Sequence, residues 1–201
     1  MGDKELIDAF EQSEINLLVE LRMGNGLHEK EYENVVEALS ICADEWKSRN
    51  SIPKKAILAL SELYGDLYNF SLIYADVESA RIKEAAENIK TLIRGCTIEK
   101  GEMEPEKARV IARLCEYIKE DGNFFKKLQN GKGFDEQQFE KIYHELDNIY
   151  EEIYSWEAFP KELINIFIDL YELDLFVYQY RDEEADKIYD AYERIFSLIF
   201  G

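Results

Sequence analysis

The sequence predicts an all-α fold built from two similar four-helix units. Three observations lead to this prediction. Apolar residues recur at helical spacing, no run of residues alternates between polar and apolar as a half-buried strand does, and the second half of the chain resembles the first. We expect about eight helices, packed either as one body or as two similar subdomains.

The two halves match at an offset of 107 residues. Residues 16–64 pair with residues 123–171 with 14 identities in 49 positions. When Gly65 is left out, residues 66–95 pair with residues 172–201 with 12 identities in 30 positions. Coincidence between two amphipathic stretches would not keep glycines, a proline and the register together, so the pattern predicts a tandem duplication.

The match sets the domain boundaries. We assign residues 1–95 to the first helical repeat and residues 108–201 to the second. Residues 96–107, which include a glycine and a proline, form the predicted linker. Because Gly65 is an extra residue inside a predicted helix, we expect a kink or π-bulge there and none in the second repeat.

Glycine and proline mark the ends of the early helices. Gly24 and Gly131 follow the first helix of each repeat, where a left-handed conformation costs glycine nothing. Pro53 and Pro160 fall where the third helix should begin, and proline is tolerated in a first turn. Each repeat therefore begins with two helices joined by a glycine turn.

The second helix has a start signal that is clearer in the second repeat. Asp135 is the predicted N-cap with Gln138 as its capping-box partner, and Phe134 should pack on Phe139 as a hydrophobic staple. His28 is a poorer cap at the same place in the first repeat.

The last helix of each repeat has an N-cap candidate, Asp76 or Asp182, followed by one apolar face at helical spacing. The predicted helices lie near residues 3–22, 28–49, 53–74 and 76–94, and near residues 106–129, 135–155, 160–180 and 183–200.

The charge of the chain limits its function. Lys and Arg number 24 against 43 Asp and Glu, which gives a net charge of −19. A nucleic-acid-binding protein needs clustered basic residues, and so does a protein held on an anionic membrane, so we expect neither partner. The amino terminus lacks a signal-peptide pattern, and the three cysteines fit reduced thiols, so we expect a cytoplasmic location.

Catalytic motifs are absent from the sequence. The only histidines, His28 and His144, are replaced in the other repeat by Asp135 and Glu37, and no phosphate loop or nucleophile elbow is present. We therefore expect no catalytic residue, no metal ligand and no cofactor.

Paired carboxylates offer an enzymatic alternative. Asp169 and Glu172 on one helix, and Glu183 and Asp186 on the next, are acidic pairs at a spacing of three. This layout resembles that of the all-helical nucleotide pyrophosphohydrolases, and the resemblance implies an Mg²⁺-dependent hydrolase.

The second repeat is much richer in aromatic residues, with 19 in residues 108–201 against 7 in residues 1–107. On the last helix several of them replace lysine, alanine and arginine of the first repeat. Monomers rarely leave so much aromatic surface exposed, so we expect it to be covered by the first repeat, by a second copy of the chain or by a partner. The predicted binding residues are Tyr143, Tyr150, Tyr154, Tyr189, Tyr192, Phe196 and Phe200.

These observations favour a non-enzymatic protein-binding protein, most plausibly an acidic immunity-type inhibitor of a basic toxin or enzyme. Negative charge speeds association with a basic protein, and tyrosine gives contact area at low entropy cost. The second hypothesis is a helical-repeat scaffold that binds a peptide or self-associates. Self-association would use the aromatic residues of the last helix at 189–200, which we call the C-terminal aromatic strip. The hydrolase is the third.

Overall fold

The computed structural model divides the chain into two compact units, Met1–Gly101 and Glu102–Gly201. The residues it describes are 2–98, 103–118 and 124–200. Those residues are mostly helical, which confirms the predicted all-α class. The boundary between the units falls inside residues 96–107.

The first unit packs four helices around an apolar core. Its elements are α1 (Asp3–Arg22), α2 (Glu29–Trp46), the extended segment β1 (Ser51–Pro53), α3 (Ala56–Ile73) and α4 (Asp76–Cys96). Helix α1 contacts α2 and α3, and α4 contacts α2 and α3. The fully buried side chains come from all four helices and include Phe10, Leu17, Leu39, Trp46, Leu60, Ile82 and Ile89.

The second unit repeats this arrangement with more, shorter helices. Its elements are α5 (Pro105–Ile118), α6 (Phe124–Gln129), α7 (Glu136–Tyr154), the extended segment β2 (Ala158–Pro160), α8 (Lys161–Tyr171), α9 (Leu173–Val177) and α10 (Asp182–Phe200). Helix α5 contacts α7 and α8, and α10 contacts α7, α8 and α9. The pairs of helices in contact are therefore the same as in the first unit.

The expectation of no strand is wrong at two short segments. β1 and β2 lie 107 residues apart in sequence, and each buries its central residue, Ile52 or Phe159. Each segment ends at its proline, and proline forces the residue before it into an extended conformation. Pro53 and Pro160 thus precede α3 and α8 and do not lie in their first turns, as the sequence had suggested.

The expected kink at Gly65 is also wrong. Helix α3 runs without interruption through Gly65, whereas the second unit breaks at Glu172 between α8 and α9. One residue fewer in a continuous helix would turn every later side chain by about 100°. The break restores the register, so that Tyr180 and Glu184 make the same contacts as Tyr74 and Glu78.

Glycines at positive φ form the turn that follows α1 in the first unit and α6 in the second, as the sequence predicts. The φ angles are +80° at Gly24 and +75° at Gly26, and +66° at Gly131 and +87° at Gly133. The second glycine is needed for space as well, because an added Cβ at Gly26 would lie 2.6 Å from a carboxylate oxygen of Glu78. We call this turn and the residues that hold it the glycine joint.

In each unit the glycine joint is hydrogen-bonded to two residues, one in the first turn of the last helix and one just before that helix. Glu78 Oε1 accepts a hydrogen bond from the Leu27 backbone N–H at 2.6 Å, and the Tyr74 hydroxyl donates to the Leu21 carbonyl at 2.7 Å. The second unit has the same two bonds at 2.6 and 2.7 Å, from the Phe134 N–H to Glu184 and from Tyr180 to the Leu128 carbonyl. Glu78 and Glu184 therefore hold this turn through side-chain bonds to its backbone.

The start of α7 confirms the predicted N-cap and staple but not the capping box, because the Gln138 side chain accepts a hydrogen bond from Lys127 Nζ at 3.2 Å. The Gln138 N–H donates to the Asp135 side chain at 3.0 Å, and the rings of Phe134 and Phe139 lie 5.5 Å apart. His28 precedes α2 and makes no side-chain capping bond, as expected for a poor N-cap residue.

The expected capping role of Asp76 and Asp182 is wrong. They are the first residues of α4 and α10, and both have a positive φ, +50° and +53°. Aspartate tolerates this left-handed conformation better than most residues, because its short side chain can bond locally. Their shared identity thus reflects the backbone geometry at the helix start.

Candidate protein-binding surface

The predicted aromatic residues do not form one strip. Tyr143, Tyr150 and Tyr154 lie on α7, and Tyr189, Tyr192 and Phe196 lie on α10; the side chain of Phe200 falls outside the described residues. Their rings separate into groups with different partners.

Tyr192 and Phe196 pack within the second unit. Their ring centroids lie 5.5 and 6.2 Å from that of Tyr171 in α8, and both side chains are half-buried. The equivalent pair in the first unit is Tyr64 with Lys90, whose ammonium lies 4.4 Å from the ring centroid. The tyrosine at the matched position therefore contacts a cation in the first unit and an aromatic ring in the second.

Tyr143 is covered by Arg194. The guanidinium carbon of Arg194 lies 4.1 Å from the Tyr143 ring centroid and 5.1 Å from that of Phe139. Two of its nitrogens bond to the two carboxylate oxygens of Glu140, at 2.5 and 3.0 Å. This ion pair lowers the pKa of Glu140 and fixes the guanidinium over the rings.

Tyr150 and Tyr154 form a separate pair near the end of α7. Their ring centroids are 5.5 Å apart, and Tyr154 is 61% exposed. This pair leaves an aromatic edge accessible to solvent.

Two further exposed tyrosines of the second unit lie among carboxylates at α9 and α10. Tyr178 is 60% exposed and Tyr189 is 47% exposed. Glu193 raises the pKa of Tyr189, with smaller contributions from burial, Asp174 and Asp190. Burial raises the pKa of Tyr178, and Asp174 adds to the shift. We call Tyr178, Tyr189, Asp174, Asp190 and Glu193 the tyrosine–carboxylate patch.

The first unit differs from the second at this patch. There the Lys83 ammonium lies 5.6 Å from the centroid of the Tyr68 ring. The sequence match places Tyr189 at the position of Lys83 and Asp174 at the position of Tyr68. At these positions the first unit has a cation and an aromatic ring, and the second unit has a tyrosine and a carboxylate.

Tyr178 and Asp174 were not among the predicted binding residues. Tyr178 lies on neither α7 nor α10, which carry the predicted residues, and it follows a nearly continuous apolar run that predicts burial. Its partner in the sequence match, Leu72, is 50% exposed. A comparison of aromatic exchanges along all helices would have identified Tyr178.

The four carboxylates of the hydrolase hypothesis do not form a metal centre. Asp169 and Glu172 line a cleft of about 290 Å³ with Phe125, whereas Glu183 is 88% exposed and pairs with Lys187 at 3.6 Å. Among the described residues, no group of three or more His, Cys, Asp or Glu side chains could hold a metal ion.

The cysteines are thiols and not disulfides. Cys42 and Cys96 are buried, Cys115 is half-buried, and burial raises the pKa of Cys42 to about 12. Cys42 therefore lacks the thiolate character of a reactive cysteine.

Across the part of the chain that the structure describes, every helix is too short or too polar to cross a membrane. No protein-family model, curated protein or solved structure matches this chain.

Proposed function

We propose that this chain is a non-enzymatic binding protein, of the inhibitor or immunity type, that recognises a basic protein through the tyrosine–carboxylate patch. One observation carries the proposal: Tyr178 and Tyr189 are exposed among carboxylates where the first unit has its own cation, Lys83, over an aromatic ring. A cationic side chain of a partner would restore that type of contact.

The chemistry of the patch suits a Lys- or Arg-rich surface. The face of a tyrosine ring attracts cations, and fixing a tyrosine side chain costs little rotamer entropy. The net charge of −19 also speeds the approach of a basic protein. Such steering weakens as salt rises, because charges are screened beyond roughly 8 Å at physiological ionic strength.

Self-association through the C-terminal aromatic strip has less support. Tyr192 and Phe196 already contact Tyr171, so these rings do not offer a continuous apolar face. A protein partner at the more polar patch accounts better for the exposed tyrosines.

We also propose that the two units arose by tandem duplication of one four-helix unit. The matched glycine joints and the shared pattern of helix contacts support this origin. The reduced thiols fit a cytoplasmic location, which we propose as well.

The test is a kinetic comparison of two variants that add the same charge. A basic protein captured from the source cell by the immobilised chain would be purified, and its binding measured at low and physiological salt. We expect Tyr189→Lys to weaken binding at least tenfold and Val77→Lys, at a residue 75% exposed in the first unit, to have little effect. An association rate that does not depend on salt, or equal effects of both variants, would refute the proposal.

A further inference from the structure

A cleft of about 240 Å³ lies in the first unit between the start of α2 and the middle of α4. Its lining includes Leu27 and Tyr32 on one side, and Arg81, Glu84 and Asn88 on the other. The cleft combines an apolar base, an aromatic ring and carboxylates, which is the composition of a site for a cation with a flat apolar face.

The second unit fills the equivalent position with a side chain of its own. The sequence match pairs Asn88 with Arg194, Tyr32 with Phe139 and Glu33 with Glu140. Arg194 lies over the Phe139 ring and binds both oxygens of Glu140. The fold thus already holds a guanidinium at this place in one of its two copies.

The first unit keeps two partners of that guanidinium, an aromatic ring at Tyr32 and a carboxylate at Glu33, but it has Val36 in place of Tyr143 and lacks the arginine. The carboxylate of Glu33 has no ion pair within the described part of the chain, and neither does that of Glu84; both side chains are exposed. Arg81 does not fill the place of Arg194, since Glu78 and Glu29 hold its guanidinium at 2.9 and 3.3 Å.

Asn88 is arranged as an acceptor. Its amide nitrogen donates to the Tyr32 hydroxyl at 2.6 Å, which leaves the amide oxygen to accept a bond from a guanidinium N–H.

We propose that this cleft binds an arginine side chain of a basic protein partner. The guanidinium lies over the Tyr32 ring, donates to the carboxylates of Glu33 and Glu84, and contacts the Asn88 amide oxygen. Arginine is preferred to lysine because its planar fork both stacks on the ring and bonds two acceptors at once. The inference rests on the proposed function and adds a second contact, in the other unit, to the tyrosine–carboxylate patch.

The probe is a blocked Gly-Arg-Gly peptide, with blocked Gly-Lys-Gly as its chemical control. Each peptide is titrated into the full ¹⁵N-labelled chain, and amide shifts are followed by NMR. We expect the arginine peptide to shift the signals of Tyr32, Glu84 and Asn88 with an affinity about tenfold higher than that of the lysine peptide. Equal affinities, or shifts that avoid the cleft, would overturn the inference.

The matched variant is Asn88→Arg, which gives the first unit the residue of the second. Its arginine should fill the cleft and weaken binding of the arginine peptide about tenfold or more. If this variant fails to fold, Glu33→Gln combined with Glu84→Gln replaces it, with the same expected loss. Unchanged binding in either folded variant would contradict the assignment.

The two proposals can fail separately. If Tyr189→Lys abolishes binding of the basic protein while the cleft variants change neither peptide nor protein binding, the function stands and the cleft inference is wrong. If the peptide occupies the cleft but no basic protein binds the chain, the arginine site stands without the proposed function.

Discussion

Glu78 Oε1 accepts a hydrogen bond from the backbone N–H of Leu27 across 2.6 Å, and so joins the start of α4 to the turn that follows α1. This bond lowers the pKa of Glu78, because the N–H favours the ionised carboxylate. The equivalent bond of Glu184 makes the same connection in the second unit.

We predict that Glu78→Ala lowers the free energy of unfolding by about 1–3 kcal/mol, because it leaves a part-buried N–H without its acceptor. Glu184→Ala should cost a similar amount in the second unit. Urea unfolding followed by circular dichroism measures both. Glu84→Ala, at an exposed carboxylate of the same helix as Glu78, is the control and should change stability little. Equal losses for Glu78→Ala and Glu84→Ala would show that the bond adds nothing.

The two glycines of a joint should differ in their tolerance of alanine. At Gly24 only the positive φ is unfavourable, and Gly24→Ala should cost about 1 kcal/mol. At Gly26 an added Cβ also meets Glu78, so Gly26→Ala should lower the melting temperature further. Gly131→Ala and Gly133→Ala should show the same order. A milder effect at Gly26 than at Gly24 would mean that the Glu78 side chain moves aside at little cost.

Glu14 should make the stability of the chain depend on pH. It lies in the apolar stripe of α1 at 7% exposure, and its pKa rises to about 8 because of burial and the nearby carboxylates Glu62, Asp66 and Glu11, with Arg22 opposing. In the unfolded chain the same group has the ordinary pKa of a glutamate, 4.5. The folded state therefore binds the proton of Glu14 more tightly. The contribution of Glu14 to stability is fully present below pH 4.5 and is lost as pH rises towards 8.

The matched change is Glu14→Gln, which removes the ionisation and keeps the shape. We expect the wild-type chain to lose up to about 5 kcal/mol between pH 4.5 and 8 relative to this variant. Denaturant midpoints at several pH values measure the difference. Glu62, whose pKa is also raised by burial, remains in both proteins, and its interaction with Glu14 is part of the measured difference. Parallel curves of stability against pH for the two proteins would show that folding does not raise the pKa of Glu14.

Phe196→Lys should be tolerated better than Phe196→Ala. The first unit has Lys90 over Tyr64 at the equivalent place, so a lysine at 196 can lie over Tyr171 and recover part of the lost contact. We expect Phe196→Ala to cost about 1–2 kcal/mol and Phe196→Lys roughly half as much. Thermal unfolding and oligomeric mass, measured together, test this. A stable monomer formed from a dimer by either variant would instead assign the ring to self-association.

The sequence predicted the features that depend on local backbone chemistry. The positive φ of Gly24 and Gly131 and the capping bond of Asp135 follow from residue types at fixed offsets, and the structure has them. The role of Glu78 could not be predicted in this way, because its acceptor bond reaches a residue 51 positions earlier in the chain. Such a bond can form only once α4 has packed against α2.

The candidate site was predicted only in part for a related reason. Tyr189 and Tyr192 are three residues apart on α10, yet one is exposed beside carboxylates and the other packs on Tyr171. Residue type and helical spacing place both tyrosines on similar faces of α10. Their environments differ only because α8 packs against one of them. The exposed Tyr178 was missed because the apolar run before it predicts burial.

The helix break at Glu172 should make the backbone of α9 easier to open than that of the continuous helix α3. Helix α9 spans only five residues, and the Leu175 N–H bonds three residues back to Glu172 instead of four. Segments with few regular bonds open at low free energy, so amides of α9 should exchange with solvent faster than their counterparts in α3. Asp174 belongs to α9 and Tyr178 follows it, so part of the tyrosine–carboxylate patch can adjust its shape to a partner, at an entropy cost when binding fixes it.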